Sequence, residues 1–183
     1  MPVESKDELL SLLPEINEVA DDPIREGVID CFILAFNEGG FSATDIDKLP
    51  FTLAIDNCPV SLLEHVRGVT ITSLSITKTL EDIYGPRIVI DKDILTAGAL
   101  LHDVGKLVEY ATEDNDIVVS DIGRALRHPT IGAQLANEAG LPPEVIHIIA
   151  YHSWEGERIK RTIEAYIVYI ADLVNNEPFR IIE

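Results

Sequence analysis

A His102-Asp103 doublet closes the apolar stretch Leu95-Thr96-Ala97-Gly98-Ala99-Leu100-Leu101, and this pair constrains the fold more than any other feature. An ionised carboxylate beside an imidazole in a hydrophobic helix is costly unless something pairs with it. A divalent metal satisfies both groups at once. Such an ion needs further ligands from distant parts of the chain. His65 lies upstream, and His128, His152 and Asp172 lie downstream. A fold that uses them must bring several segments to one point.

Those segments read as helices. A first helix is predicted over 5–20, with Leu9, Leu10, Leu12, Leu13 and Ile16 as its apolar stripe, and a second over 23–38, closed by Gly39-Gly40. Residues 41–59 are turn-rich and read as a connector. Ser61 opens a long helix to about Ile83 that carries His65, stopped by Tyr84-Gly85-Pro86. Arg87 to Ile90 is β-branched and reads as extended. Asp91 caps a helix over 92–111 that holds the doublet. A turn at 113–116 and the candidate strand Ile117 to Val119 suggest one small hairpin. His128-Pro129 precedes a helix over 130–139, and Pro142-Pro143 starts another that ends at His152. The last helix, 161–175, carries Asp172. The fold class expected is all-α: an N-terminal helical extension (1–57) packed on a helical metal-binding domain (58–183), with one small β-hairpin.

At 183 residues and 46% hydrophobic, the chain suits one domain with a sizeable core. No run of 18 apolar residues appears, and the first residues lack the basic-then-apolar order of a secretory signal. Cys31 and Cys58 are isolated; they read as two thiols in a reducing cytoplasm, although one bridge is open to them. The charge balance is 14 basic against 32 acidic residues, a formal −18. Such a surface disfavours sequence-independent binding of duplex nucleic acid, which rests on Lys and Arg neutralising phosphates. A small anionic substrate remains compatible where cations gather in a pocket.

Each candidate ligand has a plainer reading when taken alone. His102 and Asp103, adjacent on a helix, diverge by about 100° but both reach an ion placed between them. Lys106, four residues after His102, falls on the same face, where a substrate phosphate would sit; otherwise it is a solvated lysine. Asp172 lies in Ala165-Tyr166-Ile167-Val168-Tyr169-Ile170-Ala171-Asp172-Leu173-Val174, apolar nearly all round, which predicts burial. A buried carboxylate there needs a metal or a hydrogen-bonding helix end. His65 by itself suits a core position, His128 a helix cap, and His152 a helix C-terminus. His147 is assigned a half-exposed or hydrogen-bonded role.

Their order and spacing are more specific. The series His65, His102-Asp103 with Lys106, His128-Pro129, His152 and Asp172 resembles the HD-domain superfamily of metal-dependent phosphohydrolases. The resemblance covers about residues 58–176 and includes Gly98 to Lys106, His128 to Ala133, and Ala171-Asp172. It implies an HD-domain helical bundle. It also implies that His65, His102, Asp103 and Asp172 hold one metal, while His128 and His152 match positions that hold a second in dinuclear members, with Asp103 bridging. The pair Tyr151-His152 departs from the two consecutive histidines of several dinuclear members. Ser153 replaces the glutamate of the cyclic-dinucleotide subgroup, and Tyr84-Gly85-Pro86 is not that subgroup's Gly-Tyr-Pro, which argues against cyclic-di-GMP as substrate.

The function expected is hydrolysis of a phosphoester in a small anionic metabolite, a nucleotide or relative, by metal-activated water. Asp103 and Lys106 would be catalytic. The cofactor is one or two divalent ions of Fe, Mn, Ni, Zn or Mg. Lys106, Arg158, Lys160 and Arg161 are candidate substrate contacts, with Arg124 and Arg127 a second group. Two alternatives stand beside this: a mixed-valent diiron oxygenase of the same superfamily, and a non-catalytic regulatory HD module. No membrane partner is expected, and a homodimer through residues 1–57 is left open.

Overall fold

The fold is seen in a computed structural model that describes residues 6–181. Residues 1–5 of the expected extension and 182–183 of the expected domain lie outside the described residues. The expected first helix is two pieces. Helix α1 (Lys6–Leu12) ends before Pro14, and the chain continues as a 3-10 turn, Pro14–Glu18. Pro14 brings no N–H to continue the ladder and crowds the preceding turn. The apolar stripe survives the break: Leu9, Leu13 and Ile16 are all buried. Helix α2 (Asp22–Gly39) starts with the Asp21 carboxylate accepting from the Ile24 N–H and ends at Gly40, whose φ of +73° suits glycine.

Residues 41–59 are more than a connector. Ala43, Ile46, Leu49, Phe51 and Ile55 are buried, and a 3-10 turn spans Ala43–Asp45. Helix α3 (Leu62–Tyr84) opens on a reciprocal cap between Ser61 and Glu64, which stabilises the helix start by about 1 kcal/mol. Helix α4 (Lys92–Leu101) is the central rod: every residue from Ile94 to Leu101 is buried. It packs on α2, on α3 and on two later helices, α8 (Pro143–Tyr151) and α9 (Ile163–Ile181). At Gly98 a side chain would meet Ile148 at 2.4 Å, so the glycine allows α8 to approach.

The expected helix over 92–111 breaks at the doublet. After Leu101 the backbone tightens to i→i+3 bonds, Val104 N to Leu101 O and Lys106 N to Asp103 O, before the single turn of α5 (Lys106–Glu109). Strand β1 (Tyr110–Glu113) then pairs antiparallel with β2 (Asp116–Val119), Tyr110 opposite Val119 and Glu113 opposite Asp116. Asp114 and Asn115 both have positive φ, as a two-residue hairpin of the mirror-image type requires. Apart from an isolated bridge between Pro50 and Ser61, this hairpin is the whole sheet among the described residues; Arg87 to Ile90 joins no strand.

Helices α6 (Asp121–Ala125) and α7 (His128–Glu138) follow. Helix α9 runs past the expected end through Pro178 and is amphipathic in burial, exposing Tyr166 and Val174 while burying Ala165, Val168 and Ala171. The buried apolar side chains form one continuous core from Leu9 to Ala171. Cys31 and Cys58 are free thiols, and burial pushes the Cys31 thiol up to about 12. No helix of the described residues is long and apolar enough to cross a membrane.

Candidate metal centre

Five segments deliver the six predicted side chains to one place. His65 comes from the first turn of α3 and His102 from the end of α4. Asp103 sits in the tight turn that follows. His128 is the first residue of α7, His152 follows the last residue of α8, and Asp172 lies midway along α9. His65, His102, Asp103 and His152 are at most 2% exposed, His128 is 7% exposed, and the Asp172 side chain is 13% exposed.

Asp103 is the hub. Its Oδ2 lies 3.4 Å from both His65 Nε2 and His102 Nε2 and accepts from Lys106 Nζ at 2.6 Å. Its Oδ1 lies 3.2 Å from His128 Nε2 and 3.7 Å from His152 Nε2. Asp172 Oδ1 stands 3.2 Å from His65 Nε2. The potential ligand atoms fall into two groups, His65–His102–Asp172 and Asp103–His128–His152, each within 4.8 Å.

The outer nitrogens decide what the inner ones can do. His102 Nδ1 pairs with the Ala99 carbonyl at 2.7 Å and His152 Nδ1 with the Ile149 carbonyl at 2.8 Å. His128 Nδ1 pairs with the Glu109 carboxylate at 2.9 Å. All three partners are acceptors, so we assign the ring proton to Nδ1 in each neutral ring. Three Nε2 lone pairs then face carboxylate oxygens with no donor between them. His102 Nε2 also faces His65 Nε2 at 3.3 Å. That donor-poor arrangement fits a cation, and the imidazole and carboxylate set suits first-row divalent ions.

Charge follows the same logic. Burial would raise the Asp103 carboxyl, but Lys106, His102 and His65 pull it well below 3.8. Burial would also raise Asp172, yet His65, 3.2 Å away, and the nearby His102 and His152 hold it at about 2. Burial, reinforced by His102, pushes His152 down to about 3, which keeps its imidazole neutral. For His102, burial works downward and is overcome by Asp103 and Asp172, so its value rises above 6.5.

A cleft of about 400 Å³ opens beside the cluster, lined by Lys106, Glu109, Tyr110, Arg127, Trp154 and Arg180 among others. Three predicted substrate contacts, Arg158, Lys160 and Arg161, do not line it. Arg158 and Lys160 are exposed on the loop before α9 and are not part of the lining. Arg161 is spent on backbone, donating to the Tyr151 and Ser153 carbonyls at 2.7 Å, and stacks on Tyr169. Arg124 likewise turns away, to the Val119 carbonyl and Asp121. Arg127 and Arg180 are the cations on the rim instead.

Glu109 was missed in the sequence, although it sits seven residues after His102 and three after Lys106, on one face of the expected helix. Phe51 carried no signal. Its ring stacks on His65 at 4.6 Å, and its carbonyl accepts from Lys106 Nζ at 2.5 Å. Because Glu109 fixes the tautomer of His128, Glu109→Ala is expected to weaken divalent-metal binding by about 10- to 100-fold. Calorimetric titration with Mn²⁺ measures this; an unchanged isotherm would remove Glu109 from the centre.

Among known proteins, residues 62–177 match the HD domain family model. A dihydroneopterin 2′,3′-cyclic phosphate phosphodiesterase from Methanocaldococcus jannaschii is 34% identical over 112 residues, covering 61% of this chain and 44% of the relative. A ribonuclease Y from Desulforudis audaxviator is 35% identical over 85 residues (46% and 14%), and one from Acidothermus cellulolyticus is 33% identical over 122 residues (63% and 22%). The chain thus spans less than half the length of these relatives. No solved structure matches it.

Proposed function

The chain belongs to the HD domain family, and on that premise we propose that it hydrolyses a phosphodiester in a small phosphorylated metabolite, a nucleotide or a compound of similar build. The carrying observation is the division of Asp103: each carboxylate oxygen faces its own pair of imidazoles, beside a cleft with cations on its walls. Two ions, one near His65, His102 and Asp172 and one near His128 and His152, with Asp103 shared, is the reading this division favours. A divalent ion held here supplies Lewis-acid charge and brings the pKa of water into the neutral range.

The chain's own residues supply position and charge. Lys106 has three donors; two go to Asp103 and the Phe51 carbonyl, leaving one for an oxygen in the cleft. That keeps Lys106 as a phosphoryl contact while it also holds Asp103 in place. Arg127 and Arg180 replace Arg158, Lys160 and Arg161 as the outer anion contacts. The two kinds of relative, one named for a cyclic phosphate and one for RNA, support phosphodiester rather than C–C bond cleavage. The formal −18 favours a small substrate over an RNA chain. Two free thiols suit a cytoplasmic setting.

The test is hydrolysis of nucleoside 2′,3′-cyclic phosphates by Mn²⁺- or Fe²⁺-loaded protein, with oxygen uptake followed in parallel. Hydrolysis that chelation abolishes and metal restores, without oxygen uptake, is expected. Oxygen uptake by iron-loaded protein without phosphodiester cleavage would move the chain to the oxygenase class. Fully loaded protein that does neither would point to a regulatory module.

A further inference from the structure

Resting on the phosphodiesterase reading, we infer that the Trp154 side of the cleft is a subsite for a planar heteroaromatic ring carried by the substrate. Of the large apolar side chains exposed among the described residues, Trp154 alone lines the cleft, with 60% of its surface open. It lies two residues after His152. The Arg127 guanidinium sits over its ring, 5.3 Å from the centroid, and Arg127 is the residue before His128. The platform is therefore tied by the chain to two of the proposed metal ligands.

The loop is braced rather than loose. Arg127 Nε pairs with Glu155 at 3.0 Å, and Arg161 fastens the Tyr151 and Ser153 carbonyls from its seat over Tyr169. At Gly156 an added Cβ would stand 2.3 Å from the Tyr151 carbonyl, so the turn closes tightly on α8. A braced, exposed tryptophan at the mouth of a polar cleft contributes little to the core. Its large flat surface suits a ring, and base–aromatic stacking tolerates any planar heterocycle.

The acidic residues of the rim agree with this. Glu157 and Glu177 line the same cleft, and neither carboxylate has a hydrogen-bond or ion-pair partner among the described residues. Such groups repel a phosphate, whereas they accept from the N–H edge of a nucleobase or pterin-like ring. Phosphate held by Lys106 and the metal centre, and ring held at Trp154, would orient one molecule along the cleft.

Trp154 is the chain's single tryptophan, so its emission reports on the subsite directly. Mn²⁺-loaded protein titrated with a nucleoside 3′-monophosphate should show saturable quenching, and glycerol phosphate should not. In kinetics, Trp154→Leu should reduce the preference in kcat/KM for a nucleoside 2′,3′-cyclic phosphate over glycerol 1,2-cyclic phosphate by roughly tenfold, mostly through KM, and Trp154→Phe should restore much of it. Equal emission responses to the two monophosphates, or an unchanged preference in Trp154→Leu, would overturn the subsite. Hydrolysis of neither cyclic phosphate, with the selective quench retained, would remove the phosphodiesterase reading and leave the subsite standing.

Discussion

On the proposed function, Asp103→Ala is expected to lose divalent-metal binding and at least about a thousandfold of the proposed phosphodiesterase activity. Its carboxylate is divided between the halves of the cluster: one oxygen faces His65 and His102, the other His128 and His152. Removing it leaves four imidazoles with Asp172 as the remaining carboxylate of the predicted ligand set. It also strands Lys106, which is 8% exposed and paired to Asp103 at 2.6 Å. Breaking a buried ion pair by deleting one partner costs about 3–5 kcal/mol, so the alanine variant should melt earlier as well. Asp103→Asn separates the two effects. It keeps the shape and an oxygen for Lys106 but halves the acceptor capacity and removes the charge. Elemental analysis of both variants, beside their melting curves by circular dichroism, is the measurement. Wild-type metal content in Asp103→Asn, with a folded protein, would refute the hub assignment.

Gly105→Ala should damage the fold and the centre together. The φ of Gly105 is −63°, an ordinary value, so space and not conformation is at issue. An added Cβ would stand 2.1 Å from the His128 carbonyl oxygen and 2.7 Å from the Gly132 nitrogen. Both obstacles are backbone, and a side-chain rotation cannot relieve them. The start of α7 must retreat, taking His128 with it. A cost of about 3 kcal/mol is expected, lowering Tm by roughly 6–12 °C in a chain of this size. Metal affinity should fall in the same variant, since His128 loses its register with Asp103. Unchanged Tm and unchanged metal titration would show that α7 has slack there.

The turn at Gly105 also marks where sequence reading stopped short. Local patterns place most helix starts within a residue or two, because caps act over three or four residues: Asp21 to Ile24, Ser61 with Glu64, and Asp91 to Ile94. The pattern over 92–111 is apolar enough to continue as one helix. Where it ends, the backbone packs closely on distant segments: Gly105 on the start of α7, more than twenty residues later, and the Leu107 carbonyl on Gly39 at the end of α2. Asp103 lies in the tight turn at that break and faces the cluster. Glu109 and Phe51 became visible only at that stage, one through His128 and the other through His65 and Lys106.

Arg158, Lys160 and Arg161 show the opposite error. Positive charge after a ligand looks like a phosphate clamp, yet the loop uses Arg161 to hold its own carbonyls and leaves the other two in solvent. Arg180, far down the chain, reaches the cleft because α9 continues past the expected end at residue 175.

Residue chemistry and short-range spacing therefore marked the helical class and the hairpin, since caps and turns leave local marks, while the six candidate ligands stood out as a set through the resemblance of their order to the HD superfamily. Which oxygen faces which imidazole, which cations reach the cleft and where the doublet's helix ends were decided by packing. These depend on segments tens of residues apart meeting at van der Waals contact, a distance the linear order does not encode.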